Sequence, residues 1–185
     1  MGPSFEREIK LRFDSAAAAR DSIVAAGGAQ VHPRRLQADA LLDTASGDLR
    51  NNRCALRVRV EEPGRCFLTY KGPPQPSMMK LREELETAVA DGPLVLAVFE
   101  RLGYRVWFRY EKYREEFAMD GVVVAVDETP VGTFVEIEGT DAGIAAAAVR
   151  LGRGPDNYIV DSYRSLFVEH CSTLGVPPGD MVFSR

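Results

Sequence analysis

Hydrophobic and polar positions alternate along much of this chain, most strictly near its start. In Phe5-Glu6-Arg7-Glu8-Ile9-Lys10-Leu11-Arg12-Phe13, Glu6, Glu8, Lys10 and Arg12 take the even positions, while Phe5, Ile9, Leu11 and Phe13 take odd ones. Period two predicts a β-strand with one polar and one apolar face. Further strands are expected over Ala38 to Thr44, Ala55 to Glu61, Phe67 to Lys71, Lys80 to Glu86, Val106 to Ala118, Gly121 to Asp127 and Phe134 to Glu138. Turn residues at Ser46-Gly47-Asp48 and Pro63-Gly64, and the breaker Gly72-Pro73-Pro74-Gln75-Pro76, separate them; Met119-Asp120-Gly121 predicts a hairpin. Helices are expected from the cap Asp14-Ser15 to Ala26, from Pro93 to Leu102, from about Asp141 to Leu151 and from about Val160 to Leu174. The tail after Pro177 reads as irregular. Neither a repeat nor a dividing linker is present, so residues 1–185 are expected to form a single domain.

Charge changes this picture. Same-sign residues recur at i and i+2 within strands: Glu6/Glu8, Arg57/Arg59, Lys80/Arg82, Glu84/Glu86, Lys112/Arg114 and Glu136/Glu138. Such neighbours point the same way, about 7 Å apart, and repel. An ordinary antiparallel sheet with its polar face in water is one reading. The other is a sheet closed into a barrel with its charged faces inward, where a polyanion and its metal ions compensate them. The helices would then cover an apolar exterior, giving an inside-out α+β barrel.

The chain has 23 Lys plus Arg, 27 Asp plus Glu, and a net charge of −4, which argues against a nucleic-acid groove. Cys54, Cys66 and Cys171 give no disulfide framework and no zinc knuckle. The absence of a long apolar run and of an apolar signal core in Met1 to Lys10 predicts a cytoplasmic protein without membrane contact. Glu6/Glu8 and Glu136/Glu138 offer hard oxygen ligands suited to Mg²⁺ or Mn²⁺. Lys10, Arg57, Arg59, Lys71, Lys80, Arg82, Lys112 and Arg114 offer donors suited to phosphate. Phosphoryl transfer by positioning and charge neutralisation needs no nucleophilic Ser or His, which fits a chain whose two histidines are His32 and His170. By parity, Arg109 faces helices or solvent and Trp107 is an outer-face anchor, while Tyr163 either packs in its helix or touches the barrel interior.

Glu6-x-Glu8-x-Lys10 resembles the ExExK signature of the CYTH superfamily, the triphosphate tunnel metalloenzymes. Asp43-Thr44, Leu56-Arg57-Val58-Arg59 and Leu68-Thr69-Tyr70-Lys71-Gly72 are similar to later strands of that family, as are Arg82-Glu83-Glu84-Leu85-Glu86 and Lys112-Tyr113-Arg114. Asp127 with Gly132-Thr133-Phe134-Val135-Glu136-Ile137-Glu138 resembles its closing segment, with Val131 in place of the usual Leu, and Asp161-Ser162-Tyr163 resembles its late helix start. The resemblance implies an eight-stranded antiparallel tunnel that holds a triphosphate. It makes Glu6, Glu8, Glu136 and Glu138, with Asp127 and Glu84, metal ligands. Lys10, Arg57, Arg59, Lys71, Arg82, Lys112 and Arg114 become phosphate ligands, with Lys10, Arg57, Arg59 and Lys71 also catalytic.

The family that the chain resembles contains hydrolases of inorganic, thiamine and nucleoside triphosphates and also class IV adenylate cyclases. Asn51-Asn52-Arg53-Cys54-Ala55-Leu56-Arg57 stands where the cyclase branch has a glycine-led strand, so a metal-dependent triphosphatase is the expected activity. A cyclase making cyclic AMP and pyrophosphate from ATP is the first alternative, and a non-catalytic polyphosphate or nucleotide sensor the second. Exposed outer-strand surface could support a homodimer.

Overall fold

The computed structural model describes residues 4–184; Met1, Gly2, Pro3 and Arg185 of the expected domain lie outside the described residues. Eight strands alternate with five helices: β1 (Ser4–Phe13), α1 (Ala16–Ala25), β2 (Ala29–Asp43), α2 (Asp48–Asn51), β3 (Ala55–Glu61), β4 (Arg65–Lys71), β5 (Lys80–Val89), α3 (Gly92–Arg101), β6 (Arg105–Met119), β7 (Val122–Thr129), β8 (Gly132–Glu138), α4 (Asp141–Arg150) and α5 (Tyr163–Leu174). The strands form one closed antiparallel barrel in the order β1-β5-β4-β3-β2-β6-β7-β8. Closure comes from β8, whose Glu138 to Thr133 pair with Glu8 to Phe13 of β1.

Apolar strand faces point outward. Ile9, Leu11, Val124, Val135 and Ile137 are fully sealed against Ile23 of α1 and Ile144 and Ala148 of α4. Burying each such aliphatic side chain contributes roughly 1.5–3 kcal/mol, so the main core lies outside the barrel. Ser15, Asp91, Thr140 and Ser162 start α1, α3, α4 and α5 by accepting a hydrogen bond from an N–H of the first turn. The β6–β7 hairpin turns at Asp120 (φ 46°) and Gly121 (φ +81°), the left-handed pair that a two-residue hairpin demands. A second cluster, Phe108, Phe134, Tyr163, Leu166 and Met181, packs where α5 lies against the barrel.

Some expected boundaries move. β2 starts at Ala29 rather than Ala38, because β6 continues to pair with it through irregular register steps around His32 and Arg35. Pro33 is tolerated there because β3 joins the other edge of β2 only from Gln37. The expected turn after Ser46 contains α2, whose Leu49 and Arg50 N–H groups bond the Asp43 carboxylate. α5 begins at Tyr163, with Ser162 as its cap, rather than at Val160. The tail after Pro177 is irregular but anchored, since Met181 is fully buried and its carbonyl accepts from Glu111 N–H. None of the helices is long and apolar enough to cross a membrane among the described residues.

Candidate active site

The inward parity of each strand delivers charged side chains to a single cavity of about 1010 Å³. Glu6, Glu8 and Lys10 come from β1, Arg57 and Arg59 from β3, and Lys71 from β4. β5 contributes Lys80, Arg82, Glu84 and Glu86; β6 contributes Tyr110, Lys112, Arg114 and Glu116; β8 contributes Glu136 and Glu138. Thus every sequence-derived site residue lines the cavity except Asp127. That residue is fully buried behind the wall, where Lys112 Nζ (2.7 Å), Arg114 Nε (2.7 Å) and Tyr163 Oη (2.6 Å) donate to it.

Most like-charge pairs find opposite charge on a neighbouring strand. Lys10 Nζ lies 2.7 Å from Glu8 Oε1 and 3.2 Å from Glu136 Oε1. Lys71 contacts Glu6 and Glu84, Lys80 contacts Glu8, and Arg114 contacts both Asp127 and Glu136. Arg59 Nε donates to Asp39 Oδ1 at 2.9 Å, while Arg57 Nη2 donates to Thr69 Oγ1 and to Glu86 Oε2. Asp39 was not anticipated: between Ala38 and Ala40, it lacks the same-face partner that revealed the other acids. Tyr163 does reach the interior wall, with Lys10 and Lys112 about 5 Å above its ring (5.1 and 5.0 Å). Trp107 is not an outer-face anchor. Register passes from Leu41 with Phe108 to Leu42 with Val106, so Trp107 is bulged and borders the cavity between Arg50 and Arg164. Arg109 is exposed, as its parity indicated.

The compensation is uneven. Burial opposes the charge on Glu8 and Glu136, but Lys10 and Lys80 outweigh it at Glu8, and Arg114 and Lys112 at Glu136, holding both acids well below the usual carboxylate range. Burial, then Glu8, raises Glu6. Burial, then Glu6 and Glu8, pushes Glu138 up to about 7 although it lies exposed at the cavity edge. Glu138 makes no hydrogen bond or ion pair among the described residues. Burial and Arg114 pull Lys112 down to about 8 in spite of Asp127.

No three acidic side chains among the described residues converge tightly enough to enclose a metal ion as they stand. Yet carboxylates are the donor type that suits a hard divalent cation, and Glu6 and Glu138, with Glu8 on the same wall, carry less cationic compensation than Glu136. Asp127, already holding three donors, does not offer a comparable position.

Inward residues also change sign along single strands. β3, β5 and β6 run in one direction, and their inward residues pass from basic to acidic: Arg57-Arg59-Glu61, Lys80-Arg82-Glu84-Glu86 and Lys112-Arg114-Glu116. β1 runs the opposite way and reads Glu6-Glu8-Lys10. The barrel's stagger sets these stretches against one another, so that Arg57 meets Glu86 and Lys71 meets Glu6.

A closed barrel with a charged interior and its core on the outside is the architecture of a triphosphate-tunnel fold. Residues 4–150 match the CYTH domain, and the chain belongs to that family. A Methanocaldococcus jannaschii protein provisionally named an adenylate cyclase is 29% identical over 134 residues, 72% of this chain and 75% of the relative. A Vibrio parahaemolyticus structure, also provisionally named an adenylate cyclase, shares the fold at a TM-score of 0.76 and 20% identity, covering 89% of this chain and 98% of the other. A Hippeastrum structure, provisionally named an adenylyl cyclase and described as having a dominant triphosphatase activity, gives a TM-score of 0.65 at 21% identity, covering 90% and 95%.

Proposed function

We propose that this chain is a divalent-metal-dependent triphosphatase that hydrolyses an inorganic, thiamine or nucleoside triphosphate in its tunnel with Mg²⁺ or Mn²⁺. The observation that carries this reading is the set of cations around one cavity, most of them buried and braced by carboxylates, with Arg82 held by backbone carbonyls. Arg57 and Arg59, braced by Asp39, Thr69 and Glu86, grip phosphoryl oxygens from one side. Lys10, Lys112 and Arg114 do so from the other, oriented through Glu8, Glu136 and Asp127, and Lys71 and Arg82 complete the grip. Such braced donors need no reorganisation as charge shifts toward the leaving phosphate. Water attacks the terminal phosphorus and the bond to the bridging oxygen breaks, leaving diphosphate or its ester and orthophosphate. Glu6, Glu8 and Glu138, with Glu84 and Glu136 alongside, would hold the cation, which when bound neutralises phosphate charge and orients water. Asp127 is a positioning residue that acts through Lys112 and Arg114.

Cyclisation of ATP is the second reading, favoured by the naming of the 29%-identical relative. Incubation with tripolyphosphate, thiamine triphosphate and ATP under each metal separates the two. Metal-dependent orthophosphate release is expected; cyclic AMP as the dominant product overturns the hydrolase reading. Glu136→Gln is expected to abolish turnover while retaining triphosphate binding. Negligible turnover of all three substrates by both proteins would mean a sensor instead.

A further inference from the structure

The apolar exterior of the barrel is covered unevenly. The main core lies under α1 and α4 and a second cluster under α5, but neither cluster includes a residue of α3. Within α3 only Gly92 is buried, so this ten-residue helix has no fully buried side chain. Its outer face is apolar as well. Leu94, Val98 and Leu102 follow one another at single-turn spacing and are 61%, 50% and 67% exposed, with exposed Ala97 beside them. α1, α4 and α5 each expose one long aliphatic side chain: Val24, Val149 and Leu174. A short helix in water draws its stability from packing of its apolar face, and an exposed aliphatic ridge marks a surface that a partner covers.

The two ends of this ridge carry opposite charge. Asp91, the exposed N-cap, accepts from Leu94 N–H and lies three residues before Leu94. At the other end are exposed Arg101, three residues after Val98, and exposed Arg105. None of these three has an ion pair among the described residues. Glu100 points about 100° away from Arg101 around the helix, off the ridge.

We propose that α3 packs antiparallel against α3 of a second copy of this chain, about a two-fold axis near Val98. An isologous contact needs a self-complementary patch. Antiparallel alignment sets Leu94 against the partner's Leu102 and brings Val98 to its own counterpart beside the small Ala97. It also carries Asp91 toward the partner's Arg101 and Arg105, and it opposes the two helix dipoles. A membrane surface suits this helix less well, because interfacial helices carry Lys and Arg along their polar face, where α3 has Glu100. One helix per copy makes a small interface, so the dissociation constant is expected on the order of 10 µM.

Sedimentation velocity of the full chain from about 1 to about 300 µM, a range that brackets this value, tests the dimer. The natural protein should pass reversibly from monomer to dimer, and its Tm should rise with concentration. Val98→Glu and Val98→Arg, each placing like charges across the axis, should stay monomeric with native circular dichroism, while their equimolar mixture should dimerise. Arg101→Glu should weaken the dimer about tenfold. A monomer throughout the range overturns the proposal, as does a dimer that survives both Val98 variants. So does a monomer that binds phosphatidylcholine–phosphatidylserine vesicles and loses them on Val98→Glu, since the ridge then belongs to a membrane surface.

Discussion

On the wall formed by β6, β7 and the start of β8, Asp127 accepts from Lys112, Arg114 and Tyr163, and Glu136 lies against Arg114 and Lys10. On the wall formed by β1, β5 and the end of β8, Glu6 and Glu84 share Lys71, Glu8 relies on Lys10 and Lys80, and Glu138 has no hydrogen-bond or ion-pair partner among the described residues. Both walls set carboxylates against cations. The first closes its own charge balance, which holds Glu136 well below the usual carboxylate range. On the second, burial first and then neighbouring carboxylates raise Glu6 and Glu138. A self-balanced wall orients donors as the chain folds; the other is the wall where the proposed function would place a cation.

The largest expected effect comes from a cation aimed inward between the two walls. Arg57→Ala should lower kcat/KM on the preferred triphosphate about 100-fold or more, while circular dichroism stays native because Arg59 still holds Asp39. An unchanged rate would remove Arg57 from the phosphate grip. Next is the second wall itself. Glu138→Gln should raise the metal concentration for half-maximal activity roughly tenfold, and Tyr163→Phe should leave it alone. The reverse pattern would exchange the roles of the walls.

On the self-balanced wall, Tyr163→Phe removes a hydroxyl donor from a fully buried carboxylate and should cost about 1–2 kcal/mol. For a domain of this size that lowers Tm by roughly 2–8 °C; an unchanged Tm would mean that Lys112 and Arg114 satisfy Asp127 without it. The smallest effect is on pH dependence. The folded pKa of Glu138 lies above its ordinary 4.5, at about 7, so the folded chain binds more protons there than the unfolded one. Its contribution to stability is present below about 4.5 and is lost as pH rises through about 7. Metal-free natural protein should therefore lose stability relative to Glu138→Gln across that window, modestly because the group is solvent-accessible, and parallel curves would contradict the shift.

Strand parity made much of this site legible, since a period-two pattern assigns each side chain to a face without any knowledge of tertiary structure. It failed where tertiary structure sets the face. The bulge at Trp107 reverses the count by one residue and brings that ring to the cavity edge. Asp39 has no charged residue two places away on its strand, so no like-charge pair marked it, though it braces both Arg57 and Arg59. Asp127 was marked as acidic and inward, but its depth behind Lys112 and Arg114 depends on how α5 delivers Tyr163. The like-charge pairs were read as needing an external polyanion; the barrel answers most of them itself by placing opposite charges on adjacent strands.

The central claim is that the remaining imbalance is completed by metal and a polyphosphate, and thermal unfolding tests it most directly. Tripolyphosphate with Mg²⁺ or Mn²⁺ at about 100 times Kd should stabilise the natural protein by about 2.7 kcal/mol, which raises Tm by roughly 5–11 °C. An unchanged Tm at saturating metal and tripolyphosphate would contradict the account.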